Sequence, residues 1–245
     1  MMPAMIAHSS DWQTLPVDGA PMRTFVARPD DAAEAPGVLV VQHAGGVDQF
    51  VQGMARRLAA AGFVAAAPEL YHRQDPAPDE PLERMALLRD DEILADCNAA
   101  LDFLGAGGRG AAARPAAVVG FCMGGRVTYL LAADSDRLDA AVAFYGGNTK
   151  VAWGDGTAPF DRLGEIACPL LGFFGARDAN PSPEDRDAID AELTRHGVEH
   201  RFVSFAGAGH AYMDFTNQTR YHTEAAAESW PLTVQFLGQH LGAGS

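Results

Sequence analysis

The hydrophobic pattern changes character early in the chain. "WQTL" (residues 12–15) and "MRTFVA" (22–27) alternate apolar with polar positions, the period of a strand with one wet face, and predict two edge strands. "ARPDDAAEAPG" (27–37) is polar and turn-rich, and reads as a hairpin-like connection too short to separate domains. "GVLVVQ" (37–42) is then a continuous apolar run, as expected of a strand covered on both faces. "VQGMARRLAAAGF" (51–63) has helical spacing and a stop at Gly62, and "FVAAAP" (63–68) is the next strand.

The segment "ELYHRQDPAPDEPLERMALLRDDE" (69–92) is polar and proline-rich, and predicts an excursion over the surface. A helix over 90–104 leads into the strand "PAAVVG" (115–120). "AAVAFYG" (140–146), "CPLLGFFG" (168–175) and "HRFVSF" (200–205) follow as strands, with helices near 183–196 and 224–240. Strands alternating with helices predict an α/β fold, a mostly parallel central sheet with helices on both faces. Ligands of such a sheet bind beyond the carboxyl ends of its strands, so chemistry is sought there.

Composition narrows the function. Of 245 residues 48% are hydrophobic and 20% charged, enough to build a full core, and one domain over 1–245 is expected. The net charge of −14 opposes binding to nucleic acid and to anionic lipid. "MMPAMIAHSSDWQ" has neither a basic start nor an apolar core, and no apolar run approaches the ~20 residues that span a bilayer. A soluble cytoplasmic protein is the expectation. The three cysteines, Cys97, Cys122 and Cys168, form no disulfide framework and no zinc spacing; no metal or organic cofactor is expected.

Cys122 stands where a strand turns into a helix, within Gly120-Phe121-Cys122-Met123-Gly124. A dinucleotide loop would need a second glycine at the cysteine's place. Cys97, inside a helix, and Cys168, before Pro169, read as structural residues. Gly-x-Cys-x-Gly instead has the form of a nucleophile elbow. A thiol nucleophile needs a base and the base an orienting group. Asp178 follows one later strand and His210, in a glycine-rich loop, follows the next; Asp185 and Asp187 compete as acids. The order nucleophile, acid, histidine is that of α/β-hydrolases.

"VVGFCMGGR" (118–126), "GARDANPSP" (175–183), "GAGHAYMDF" (207–215) and "GFVAAAPELYHR" (62–73) together resemble blocks of the dienelactone hydrolase family, a likeness running from about Gly37 to the C-terminal helix. It implies an α/β-hydrolase fold and a carboxylic ester hydrolase of carboxymethylenebutenolidase type acting on a small ester or lactone. Cys122 would be the nucleophile, His210 the base and acid, Asp178 its orienter, and the N–H groups of Met123 and Ala44 the oxyanion hole. Free N–H groups in a helix's first turn favour both a thiolate and an oxyanion.

Two departures from the family are visible. Its usual glutamate after the first parallel strand is replaced by His43, or by Gln42 with a one-residue shift, within "VVQHAGG". "HAGG" resembles the oxyanion loops of esterases, so His43 is either a contact for the thiol or substrate or a plain loop residue. The family's arginine shortly after the histidine is replaced by Asp214, which is expected to repel a carboxylate; Arg73, Arg84 and Arg89 could compensate. A broader esterase or thioesterase of uncharged acyl groups, and a binding protein that has lost catalysis, are the rival readings. A redox-sensing thiol would need a resolving cysteine that the sequence does not supply.

Overall fold

Asp18 and Gly19, both at positive φ (51° and 81°), make the first turn of the computed structural model, which describes residues 6–105 and 115–242. Asp-Gly is the pair that a two-residue hairpin selects, because both central residues need φ > 0. The turn joins β1 (His8–Val17) to β2 (Ala20–Pro29), paired antiparallel from Val17↔Ala20 to His8↔Pro29. The hairpin connection expected over residues 27–37 is thus misplaced. Those residues end β2 and carry the chain to β3 (Gly37–Val41).

Nor is β2 an edge strand. It pairs antiparallel with β4 (Val64–Pro68) on its other side, and Phe25, Val26 and Ala27 are buried in succession because both of its faces are covered. β5 (Ala116–Phe121), β6 (Ala140–Phe144), β7 (Leu170–Gly175) and β8 (His200–Phe205) complete the sheet, in the order β1-β2-β4-β3-β5-β6-β7-β8. From β4 to β8 all pairings are parallel, as predicted.

Alternate residues of β3 serve opposite cores. Val38 and Val40 pack in one cluster with α1 (Gln49–Ala60) and α6 (Thr223–Leu241). Leu39 and Val41 pack in the other with α3 (Asp90–Phe103), α4 (Met123–Asp134) and α5 (Pro183–His196). A strand so enclosed has no polar face, which is why "GVLVVQ" reads as an unbroken apolar run. Even Gln42 is fully buried, its Oε1 accepting the Leu70 N–H at 3.1 Å.

Helix boundaries follow local chemistry. Asp48 caps α1, its Oδ1 accepting the N–H groups of Phe50 and Val51. Ser182 and Asp185 form a reciprocal capping box at the start of α5. The excursion after β4 carries one short helix, α2 (Pro81–Ala86), with no buried residue. Among the described residues no helix is long and apolar enough to cross a membrane.

Candidate active site

Cys122 sits between β5 and α4 at φ 57°, ψ −115°. For a residue with a Cβ this is strained backbone, costing on the order of 1–3 kcal/mol, and such strain persists only where the surroundings enforce it. Here they do. A Cβ at Gly120 would lie 1.9 Å from the Gly124 carbonyl oxygen, and one at Gly124 would lie 2.3 Å from that of Val41. Strand and helix therefore meet at a distance that only glycine permits, and the residue between them is forced onto the apex.

The three residues expected to act together do meet. His210 Nε2 is 3.0 Å from Cys122 Sγ, and His210 Nδ1 is 2.8 Å from Asp178 Oδ2. Asp178, 5% exposed, has its other oxygen held by the Asn180 N–H at 2.9 Å, which fixes the carboxylate plane. The competing acids are engaged elsewhere. Asp185 accepts the Ser182 N–H and hydroxyl in the capping box of α5 and pairs with Lys150, and Asp187 pairs with Arg186. Burial works against a charged imidazole at His210. The hydrogen bonds to Asp178 and Cys122, with the charges on both, outweigh it and push the ring up to about 10.

Cys97 and Cys168 are buried, and burial, with the charge of Asp96, pushes the Cys97 thiol far up. Cys122 is half-exposed. Iodoacetamide at neutral pH, mapped by mass spectrometry, is expected to label Cys122 first; earlier labelling of either other cysteine would contradict this placement.

Around the sulfur the expected helpers are found in unexpected company. Met123 lines the cavity beside Cys122. The carbonyl of Ala44 accepts a hydrogen bond from the Tyr71 hydroxyl at 2.9 Å, and the same hydroxyl lies 3.5 Å from Met123 Sδ. Tyr71, 2% exposed, thus touches both residues expected to supply oxyanion donors. His43 follows β3 as expected, but its Nε2 pairs with Asp48 Oδ2 at 2.9 Å and makes no hydrogen bond to Cys122. Burial disfavours the Asp48 charge, and its bonds to His43 and the first turn of α1 more than offset this and hold the carboxyl below its usual range.

Asp214 is buried rather than facing a substrate. Its Oδ1 accepts from the N–H and hydroxyl of Thr216, at 3.0 and 2.6 Å, in a local turn. The candidate clamp arginines are engaged too. Arg73 pairs with Asp96 and Asp18, Arg84 stacks 4.2 Å over Tyr71, and Arg89 pairs with Asp91 and Asp155.

Cys122, Asp178 and His210 share a cavity of about 460 Å³, lined also by Leu82, Met85, Arg126, Trp153 and Arg177. Arg177 is exposed at its rim, and Arg126 is fully buried. None of Tyr71, Arg126, Trp153 or Arg177 stands out in the sequence as a site residue. Tyr71, Arg126 and Arg177 do lie within three of the similar blocks, "GFVAAAPELYHR", "VVGFCMGGR" and "GARDANPSP". Among the described residues no three His, Cys, Asp or Glu side chains are grouped as a metal site requires.

A doubly covered, mostly parallel sheet with a thiol, a carboxylate and an imidazole beyond the carboxyl ends of β5, β7 and β8 defines an α/β-hydrolase. The sequence profile of the dienelactone hydrolase family matches residues 22–241, and the chain belongs to that family of ester and lactone hydrolases. A Yersinia pestis protein provisionally named carboxymethylenebutenolidase is 31% identical over 239 residues, 93% of this chain and 87% of that one. A Bradyrhizobium protein provisionally named 2-oxo-3-(5-oxofuran-2-ylidene)propanoate lactonase is 28% identical, over 94% of both chains. The crystal structure of a provisionally named dienelactone hydrolase from Klebsiella pneumoniae superposes with a TM-score of 0.85 at 30% identity, covering 95% of this chain and 99% of the other.

Proposed function

We propose that this hydrolase opens enol lactones and activated esters through a thioester on Cys122. The observation that carries the reading is the unbroken sequence of contacts from sulfur to imidazole to carboxylate, with the sulfur on a strained elbow. Cys122 Sγ and His210 Nε2 share one proton across their 3.0 Å contact, and His210 carries it as the sulfur engages the substrate. Sγ attacks the carbonyl carbon, and the oxyanion is received by the N–H groups of Met123 and Ala44. The C–O bond breaks as His210 Nε2 gives its proton to the departing oxygen. Neutral His210 then takes a proton from water, the hydroxide attacks the thioester, and the C–S bond breaks to restore thiolate and imidazolium. Asp178 holds the ring in the orientation both transfers need.

A thiolate leaves easily, so the first intermediate partitions by leaving group. An enol, a phenol or a second thiol competes with sulfur, whereas an alkoxide or amide does not. The test is a panel of enol lactones, aryl esters, thioesters and alkyl esters. Turnover of the first three, with alkyl esters poor and peptides inert, is expected; efficient alkyl ester cleavage with inert enol lactones would overturn the mechanism.

The wider reading, an esterase or thioesterase of uncharged acyl groups, is favoured by the engagement of Arg73, Arg84 and Arg89 by other partners. Arg177 at the rim is the group that speaks for an anion. A carboxylate-bearing enol lactone run beside its methyl ester decides between them.

Tyr71 and His43 act through the oxyanion loop, the first by its bond to the Ala44 carbonyl and the second by tying the loop to the cap of α1. Removing the tyrosine hydroxyl frees the Ala44–Gly45 peptide, and with it loosens the turn that aims the neighbouring Ala44 N–H at the developing charge. Tyr71→Phe is expected to lower kcat about tenfold with KM nearly unchanged, since the interaction is made in the transition state. A change in KM alone would place Tyr71 in substrate binding instead.

A further inference from the structure

One wall of the cavity plays no part in the reaction as written. Arg126 lies one turn beyond Cys122 on α4 and is wholly buried. Its Nη1 donates to Asp90 Oδ1 at 2.6 Å and its Nη2 to Asp90 Oδ2 at 3.0 Å. Nη2 also donates to the Val151 carbonyl, and Nε to that of Asn148. Asp90 is in turn bound to the peptide of Trp153 in both directions. The Trp153 N–H donates to Asp90 Oδ2 at 2.9 Å, and the Asp90 N–H donates to the Trp153 carbonyl at 2.7 Å. The guanidinium carbon lies 3.9 Å from the centre of the indole ring.

Three segments are joined at this point: the start of α3, the first turns of α4 and the loop after β6. A buried ion pair is poor evidence for stability, since an apolar pair of similar volume stabilises as well. What a planar guanidinium fork supplies is orientation. It fixes the Trp153 peptide through Asp90 and backs one face of the ring with a cation. Arg126 and Trp153 line the same cavity as Cys122, and so do Leu82 and Met85 of α2 and Met123. The lining of this cavity therefore combines a rigid indole with adaptable aliphatic and thioether side chains, a surface suited to a flat apolar group.

We propose that Trp153, held in place by Arg126 and Asp90, is a specificity-determining platform for a planar unsaturated acyl group, with Arg126 as its positioning residue. This rests on the reading of Cys122 as the reactive thiol, and it names the substrate class that the site prefers.

The test uses alkylation of Cys122 in the folded protein, which needs no hydrolysis. The rate with 2-bromoacetophenone, which places a flat aryl ketone next to the sulfur, is divided by the rate with iodoacetamide. Trp153→Ala is expected to lower this ratio about tenfold, the scale on which a pocket contact discriminates, and Trp153→Phe to restore most of it. Arg126→Lys keeps the charge opposite Asp90 but loses the fork, and is expected to lower the ratio as Trp153→Ala does. A ratio unchanged in Trp153→Ala overturns the platform, and one unchanged in Arg126→Lys overturns the positioning role. Equal falls in both rates in every variant would mean general loosening and would also overturn the proposal. Absence of ester and lactone turnover, with the ratio behaving as expected, would defeat the proposed reaction but not the platform.

Discussion

Cys122→Ala is expected to lower ester and enol-lactone turnover by about 10⁴-fold or more while leaving the fold intact. The magnitude follows from what is removed. Without sulfur no covalent intermediate forms, and the oxyanion donors and cavity remain to position a water that has no activated nucleophile to assist. The fold is spared because the elbow is set by Gly120 and Gly124, whose close approaches to Gly124 and Val41 do not involve the cysteine side chain. A second reading accompanies the first. The sulfur is one of the groups that hold His210 up at about 10, so its loss should bring the imidazole down, visible by NMR titration of the ring. Residual turnover near that of the native protein would assign the nucleophile elsewhere, and an unmoved His210 titration would show that sulfur and ring do not share a proton.

Much of this arrangement is written in the sequence because each signal is local. "GVLVVQ", "PAAVVG" and "AAVAFYG" are buried on both faces, so apolar continuity alone marks them as inner strands. The elbow is legible for a related reason. Two close backbone approaches demand two glycines at fixed offsets, and a short motif can carry that demand. The choice of Asp178 over Asp185 and Asp187 was less plain, because any loop aspartate before a helix looks like a cap. The structure separates them by turning the Asp185 carboxylate back onto Ser182, the N-cap of α5, in a reciprocal capping box.

What the sequence does not show is which partner each side chain takes, and most of those partners are far away in the chain. Asp214 reads as a negative charge four positions past His210, yet its carboxylate is occupied by the backbone and hydroxyl of Thr216. Arg84 reads as a candidate clamp for a carboxylate, yet it covers the ring of Tyr71. Arg126 and Asp90 are 36 residues apart and Tyr71 and Ala44 are 27 apart, and no periodicity connects such pairs. The hairpin was misplaced for the opposite reason. Asp18-Gly19 is a strong turn signal but only two residues long, and the longer, more polar stretch downstream outweighs it in the residue pattern.

The pairing of His210 with Asp178 yields the other large effect. His210→Ala is expected to lower turnover by about 10³- to 10⁴-fold, and adding Asp178→Ala should cost little more, as the proposed relay requires of groups that work as one unit. Asp178→Asn is the more informative change. It keeps the shape but replaces an acceptor of the Nδ1 proton with a group that can also donate, which permits the ring to adopt the wrong tautomer. It also removes a hydrogen bond and a charge that raise the imidazole. The sign is fixed by that direction. In the native protein His210 keeps its proton through neutral pH, so the alkaline fall in kcat/KM should come near 10, where the imidazolium that protonates the leaving group is lost. In Asp178→Asn the same fall should move down toward the ordinary imidazole value of 6.5, on top of the lower maximum. Additive losses in the double variant, or an alkaline limb that does not move in Asp178→Asn, would remove Asp178 from the relay. A larger loss from Asp185→Ala than from Asp178→Ala would give the role to the helix cap instead.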